Sequence, residues 1–280
     1  SLEEMVARTR VICTTVGPYA LYGDELLAAC AGAGTHYCDL TGEVQWMARN
    51  IDRHLATAEG SGARIVHTCG FDSIPSDLGT LFLQQTMLER FGEYADQVKS
   101  RVGRFSGSAS GGTIASMVQI FDEARRDPKV REAMSNPYSL NPGGERRGPD
   151  QADDEAPVYD EEFQQWSSTF VMAAINTRVV RRSNALAGYP YGKEFRYSER
   201  QLTGDGLSGK RKAAIACRGN KYAPLMLGLA PLRMIATRFL PAPGEGPSPE
   251  AQRRGHFELL FSGVNSKSSN SIKEIGRAHV

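Results

Sequence analysis

Three short apolar runs, at 10–15, 35–39 and 63–68, each end in small polar residues, and their starts lie 25 to 28 residues apart. Crossover units of a parallel sheet have that spacing. The stretches between them are helical. One starts at Asp24, read as its N-cap, carries Leu26, Leu27 and Cys30, and stops at Gly32 and Gly34. In the next, Val44, Met47, Ile51, Leu55 and Ala58 step by threes and fours, which is one face of an amphipathic helix ended by Gly60 and Gly62. Residues 1–77 therefore read as half of a doubly wound α/β domain.

From Asp77 the pattern changes. A helix is expected through Leu78, Leu81, Phe82, Leu88 and Phe91, followed by period-two stretches at Val98–Val102, Phe195–Tyr197 and Phe257–Phe261. Alternation of that kind belongs to a sheet with one solvated face, so 78–273 reads as an α+β domain. The segment 136–162, rich in Pro, Gly and charge, is expected to be a mobile loop. Thirty-three basic residues against 32 acidic leave a net charge of +1, which argues against a nucleic-acid partner. Five cysteines without CxxC spacing suggest neither a disulfide scaffold nor a metal cage, and a reducing, cytoplasmic setting fits best. The most apolar stretch, 222–240, holds Pro224, Pro231, Arg233 and Arg238, so it is expected not to span a membrane. The last seven residues, EIGRAHV at 274–280, back-translate to the start of a common sequencing-adapter oligonucleotide and are expected to be read-through.

Function is expected at the strand ends. Ligands of open α/β sheets bind outside the carboxyl ends of the strands. Here those ends read Thr14–Tyr19, Asp39–Glu43 and Thr68–Asp72, and Gly, Pro and small polar residues permit close backbone approach. Ordinary turn chemistry gives the same residues. If the crevice exists, Thr15–Tyr19, Asp39–Glu43 and Gly70–Asp72 should line one rim.

Five motifs carry a family resemblance: TTVGPYALYG at 14–23 and YCDLTGE at 37–43, then GFDSIPSD at 70–77, SGGT at 110–113 and VVRRS at 179–183. With GHFELLF at 255–261, and in this order, the chain resembles the saccharopine dehydrogenase-like oxidoreductases, most closely the trans-acting enoyl reductase branch. The resemblance implies a Rossmann domain for NADP or NAD and an α+β domain that shapes the substrate site and often a homodimer. It implies that Thr15, Val16, Gly17, Pro18 and Tyr19 pass the ribose and nicotinamide side of the cofactor, and that Gly70, Phe71 and Asp72 flank the nicotinamide. Members of that family begin with a strand and a Gly-rich turn that seats the pyrophosphate. No such sequence precedes Leu2, so the chain is expected to be a fragment, with Val11, Ile12 and Cys13 on an unpaired edge.

No catalytic acid or base stands out. Tyr19, Asp72 and His67 lie near the strand ends, with His67 read as a packed histidine. Ser73, Ser76 and Asp77 read equally well as caps of the next helix. Arg181 and Arg182 either hold an anion, such as a phosphopantetheine phosphate, or form a solvated basic pair. Neither GxSxG nor HExxH occurs, which removes serine and metal hydrolases and leaves no metal site to expect. Two classes stay open. One is an NAD(P)-dependent oxidoreductase acting on a small-molecule or carrier-bound acyl substrate. The other is a catalytically silent scaffold with peripheral membrane contact through 222–240.

Overall fold

A computed structural model describes residues 1–106, 111–149, 155–228 and 248–279. Its first sheet is three-stranded and parallel, in the order β1 (Val11–Thr14), β2 (His36–Asp39), β3 (Ile65–Val66). Helix α1 (Leu2–Ala7) precedes it; α2 (Tyr19–Tyr22) and α3 (Asp24–Ala33) join β1 to β2, and α4 (Val44–Ser61) joins β2 to β3. One face of this sheet is packed: Leu27, Cys30, Tyr37, Trp46 and Met47 form its core. On the other face Val11 is 52% and Val66 53% exposed, although parallel sheets are ordinarily covered on both sides. β1 has no second neighbour among the described residues.

The helix ends differ slightly from expectation. Gly23, not Asp24, is the N-cap of α3, and Asp24 instead accepts hydrogen bonds from Trp46 Nε1 (2.6 Å) and Asn50 Nδ2 (3.0 Å). Gly32 and Gly60 lie inside their helices, and the stops are Gly34 (φ 75°) and Gly62 (φ 80°), both left-handed. At Gly34 a Cβ would also stand 2.8 Å from the Ser61 carbonyl oxygen, so glycine is required there.

α5 (Ile74–Phe91) leads into a second, six-stranded sheet of mixed direction. In chain order its strands are β4 (Gln97–Ser106), β5 (Val158–Asp160), β6 (Gln165–Thr169), β7 (Arg196–Gly204), β8 (His256–Val264) and β9 (Ser271–His279), arranged β5-β6-β7-β4-β8-β9. Only β4 and β7 run parallel; every other pair is antiparallel. Helices α6 (Gly111–Arg126), α7 (Pro128–Ser135), α8 (Ala173–Leu186) and α9 (Gly206–Gly228) surround it, and Pro249–Arg254 is a further short helix. The alternating residues Val98, Val102, Phe195, Tyr197, Leu259 and Phe261 all turn into one core, with Leu83 and Met87 of α5. Residues 274–279, expected as adapter read-through, pair with β8 from Phe261 to His256.

One expectation for this half needs correction. The segment expected to be a mobile loop is pinned over its first part, where Tyr138, Ser139, Leu140 and Asn141 are buried, and its end forms β5; residues 150–154 lie outside the described residues. The anchors are three arginines of α8. Arg178 donates to the carbonyls of Met134, Asn136 and Ala174, Arg181 to Pro137 (3.2 Å), and Arg182 to Leu140. Arg181 also lies over the Tyr138 ring and reaches the Tyr197 carbonyl. Arg181 and Arg182 are therefore not a solvated basic pair: Arg181 is buried, Arg182 half-buried, and both donate to backbone carbonyls. Of the stretch 222–240, residues 222–228 belong to α9, with Pro224 inside it, and 229–240 fall outside the described residues. No described helix is long and apolar enough to cross a membrane.

Candidate functional site

The three loops that follow β1, β2 and β3 meet at one rim, tied by hydrogen bonds between them. Tyr19 is buried, its hydroxyl donating to the Thr14 carbonyl (3.0 Å) and accepting from Leu40 N–H (3.4 Å). Glu43, wholly buried, accepts from the N–H groups of Tyr19 and Ala20 (both 2.8 Å) and from Ser116 Oγ of α6 (2.8 Å). A carboxylate at the start of α2 thus fills its first donors and fastens the Gly17–Pro18 turn, a cis peptide, to the loop after β2. On the other side, Asp39 accepts from Thr68 N–H (3.0 Å) and Thr41 N–H (3.1 Å), and its second oxygen lies 2.7 Å from His67 Nδ1. A Cβ on Gly70 would stand 2.9 Å from Leu40 Cβ, so glycine lets the third loop close on the second.

Within this rim the candidate proton donors differ. Burial pushes the Tyr19 hydroxyl up to about 12, and its hydrogen bonds are spent inside the protein. His67 is held by Asp39 and packed edge-on against Trp46. Asp72 alone is exposed, in surroundings crowded enough to raise its carboxyl above the usual range. Thr15 and Val16 are also exposed, while Gly17 and Pro18 are half-buried. Phe71 packs edge-on against Phe257 at 4.2 Å, joining the rim to the second sheet.

Ser73, Ser76 and Asp77 are not side-chain caps. Ser73 stands at the N-cap of α5, but its hydroxyl donates to Asn176 Oδ1 (2.8 Å). Asn176 Nδ2 reaches Ser76 Oγ (3.2 Å) and Glu199 Oε1 (2.7 Å), and Tyr197 donates to Glu199 Oε2 (2.9 Å). Asp77 accepts from Ser183 (2.9 Å). GFDSIPSD is therefore the clamp between the two sheets, built from hydroxyls matched to α8 and β7.

Burial raises the carboxyls of Glu199 and Asp77 above their ordinary values. A carboxyl raised in the folded state stabilises the fold fully below its unfolded value, near pH 4, and loses that contribution as pH climbs through the folded value. Glu199→Gln should remove its share. Thermal melts across pH 4–8 should then show the variant losing less stability than the parent on going to neutral pH; parallel curves would contradict this.

Beside the loop after β2 lies a cavity of about 710 Å³. Gly42, Val44 and Gln45 form its wall on the rim side, and Met117, Phe121 and Phe170 are among its apolar lining. Gly42 and Ile175 are packed so closely that a Cβ on Gly42 would be 2.9 Å from Ile175 Cδ1. Cationic side chains lie along the cavity: Arg101 is committed to Asp160 (2.6 Å) and Lys99 to Glu162 (3.0 Å), whereas Arg196 stands exposed at the edge. Thr15–Tyr19 and Gly70–Asp72 do not line it. The motif spacing did not disclose the cavity, because α6, α8, β4 and β7 come together only in the folded chain. Among the described residues no group of three or more His, Cys, Asp or Glu could hold a metal ion.

The residues present suit one end of a dinucleotide better than the other. Small and exposed residues at the rim leave room for a flat ring. The phosphates find no seat: the first N–H groups of α2 are bonded to Glu43, and those of α5 to the Gly70 and Ser73 carbonyls. The start of α4 is buried at Val44, Gln45 and Trp46. The starts of α2, α4 and α5 thus offer no seat for the phosphate part of NAD or NADP.

No family model matches the chain. Among curated proteins it is 41% identical over 278 residues to "Putative trans-acting enoyl reductase Rv2449c" of Mycobacterium tuberculosis, covering 92% of this chain and 64% of that protein. It is 40% identical over 282 residues to a "Trans-acting enoyl reductase" of Mycobacterium bovis, with the same 92% and 64% covered. The chain therefore spans less than two thirds of the curated relatives it matches. A solved structure, "putative oxidoreductase yvaA" from Bacillus subtilis, aligns over 100% of this chain and 69% of its own at 14% identity, with a TM-score of 0.31. So loose a likeness carries no argument here.

Proposed function

We propose that this chain is the substrate-side part of an NAD(P)-dependent oxidoreductase of the saccharopine dehydrogenase-like type, an enoyl reductase that acts in trans on a carrier-bound acyl intermediate of lipid or polyketide assembly. The cavity of about 710 Å³ beside the Asp39–Glu43 loop is the observation that carries this reading. Its size suits a small or medium-sized organic ligand, and its lining joins apolar side chains to a few fixed polar groups. An acyl chain would lie against Met117, Phe121 and Phe170, and the phosphate of a phosphopantetheine arm would meet Arg196 at the edge. Similarity to trans-acting enoyl reductases along nine-tenths of the chain supports the same chemistry.

A trans-2-enoyl thioester of phosphopantetheine, titrated into the purified chain and followed by calorimetry, tests the reading. Saturable binding is expected. Met117→Trp, which fills the cavity, and Arg196→Glu, which opposes the phosphate, should each weaken it by about tenfold, or about 1.4 kcal/mol. Absence of saturable binding, or equal affinity in both variants with unchanged melting temperatures, would remove the cavity as the acyl site.

A further inference from the structure

Two residues that line the cavity, Gln45 and Thr177, are buried (3% and 2% exposed), and each has a side-chain oxygen with no hydrogen-bond partner among the described residues. A buried polar group left unpaired destabilises the fold, so nearly all such groups are paired. Chemistry fixes what each of these presents. Gln45 Nε2 donates to the Glu123 carboxylate (3.3 Å), which only accepts, so the amide cannot be turned over and the atom left without a partner is its acceptor, Oε1. Thr177 has a hydroxyl that can donate. In α5, Thr80 and Thr86 donate to the carbonyls one turn back, those of Ser76 (2.8 Å) and Phe82 (2.9 Å), the common outlet for a helical threonine. Thr177, within α8, makes no such bond.

The close approach of Gly42 and Ile175 sets the loop before α4 against the first turn of α8. An acceptor from one element and a donor from the other therefore serve the same cavity. A secondary amide matches that pair, since its N–H suits Gln45 and its carbonyl suits Thr177. An apolar acyl chain offers neither group, and a thioester offers only an acceptor. A pantetheine arm is joined through secondary amides, one of them on the cysteamine that carries the thioester. We infer that Gln45 and Thr177 hold an amide of a pantetheine arm, Gln45 accepting from its N–H and Thr177 donating to its carbonyl, so that the cavity selects pantetheine-bound over free acyl groups. This role rests on the cavity being the acyl site.

Calorimetry of the purified chain with a matched pair of ligands tests it. One is a trans-2-enoyl thioester of N-acetylcysteamine, which is the amide end of the arm. The other carries the same acyl group on mercaptoethanol acetate, where an ester oxygen replaces the N–H. The parent should bind the amide about tenfold more tightly. Gln45→Met should remove that preference, whereas Thr177→Val should weaken both ligands by about tenfold and keep it. Without ligand, Thr177→Val should melt no lower than the parent, because it deletes an unpaired hydroxyl; a hydroxyl that holds the fold together would lower the melting temperature. Equal affinity of the parent for the two ligands, a preference that survives Gln45→Met, or parental affinity or a lower melting temperature in Thr177→Val overturns the inference and leaves the cavity as the acyl site. Binding of neither ligand removes both.

Discussion

Replacing Glu43 by leucine should be among the most destabilising single changes in this chain, costing roughly 3 kcal/mol. The carboxylate is wholly buried and accepts from Tyr19 N–H, Ala20 N–H and Ser116 Oγ. Leucine recovers the cost of burying a charge, and burial does raise this carboxyl above its usual value. It also strands two backbone donors at the start of α2 and a hydroxyl on α6, and each buried unsatisfied group costs about 1–3 kcal/mol. The second effect is the larger. For a chain of this length, a loss of that size lowers the melting temperature by roughly 6–12 °C. Glu43→Gln should fall between, since the amide oxygen still accepts while its NH₂ faces a donor. Differential scanning calorimetry decides the matter, and a leucine variant melting with the parent would mean the rim is not held by this side chain.

Glu43 also shows where the sequence stopped being legible. The strand–helix rhythm of residues 1–77 was readable because each element declares itself locally: an apolar run, a glycine stop, a face at steps of three and four. The bonds that turn three loops into one rim are not local. Glu43 lies 24 residues from Tyr19 and 73 from Ser116, and nothing in YCDLTGE says that its glutamate faces inward. The arginines of VVRRS are similar, since the carbonyls they serve lie some 42 to 44 residues away in the segment before β5.

α5 failed differently. Leu78, Leu81, Phe82, Leu88 and Phe91 signalled a helix correctly, but all five are exposed. Periodicity reports the pitch of an apolar stripe and not whether that stripe meets this chain's own core. On α5 the core side is held by Leu83, Met87 and the Gln84–Ala95 bonds, and the polar residues between them concealed it. The candidate site divides along the same line. Its loops were readable as turn residues at strand ends. Its cavity was not, because it is bounded by strands of the second sheet, by the loop after β2 and by helices far apart in sequence.

NADPH titrated into this chain should produce no measurable heat. A dinucleotide is held mainly through its pyrophosphate, by backbone N–H groups and a helix N-terminus. At the rim those donors are already engaged: Tyr19 and Ala20 N–H bond Glu43, Ile74 N–H bonds the Gly70 carbonyl, and Ser76 and Asp77 N–H bond the Ser73 carbonyl. A phosphate arriving there would meet a buried carboxylate instead of free donors, and like charges repel. Hydrogen bonds to a charged group are worth roughly 1.5–3 kcal/mol each. Lacking three of them lowers affinity by at least about a thousandfold, at about 1.4 kcal/mol per tenfold. A micromolar site would thereby move to millimolar. In the proposed reading the acyl ligand does not depend on these donors, because the cavity beside the Asp39–Glu43 loop is lined by Met117, Phe121 and Phe170. The same preparation should therefore bind the enoyl thioester while ignoring NADPH. Calorimetry with each ligand in turn separates the two sites. Micromolar NADPH binding would show that the described rim seats phosphates after all, through donors other than the starts of α2 and α5.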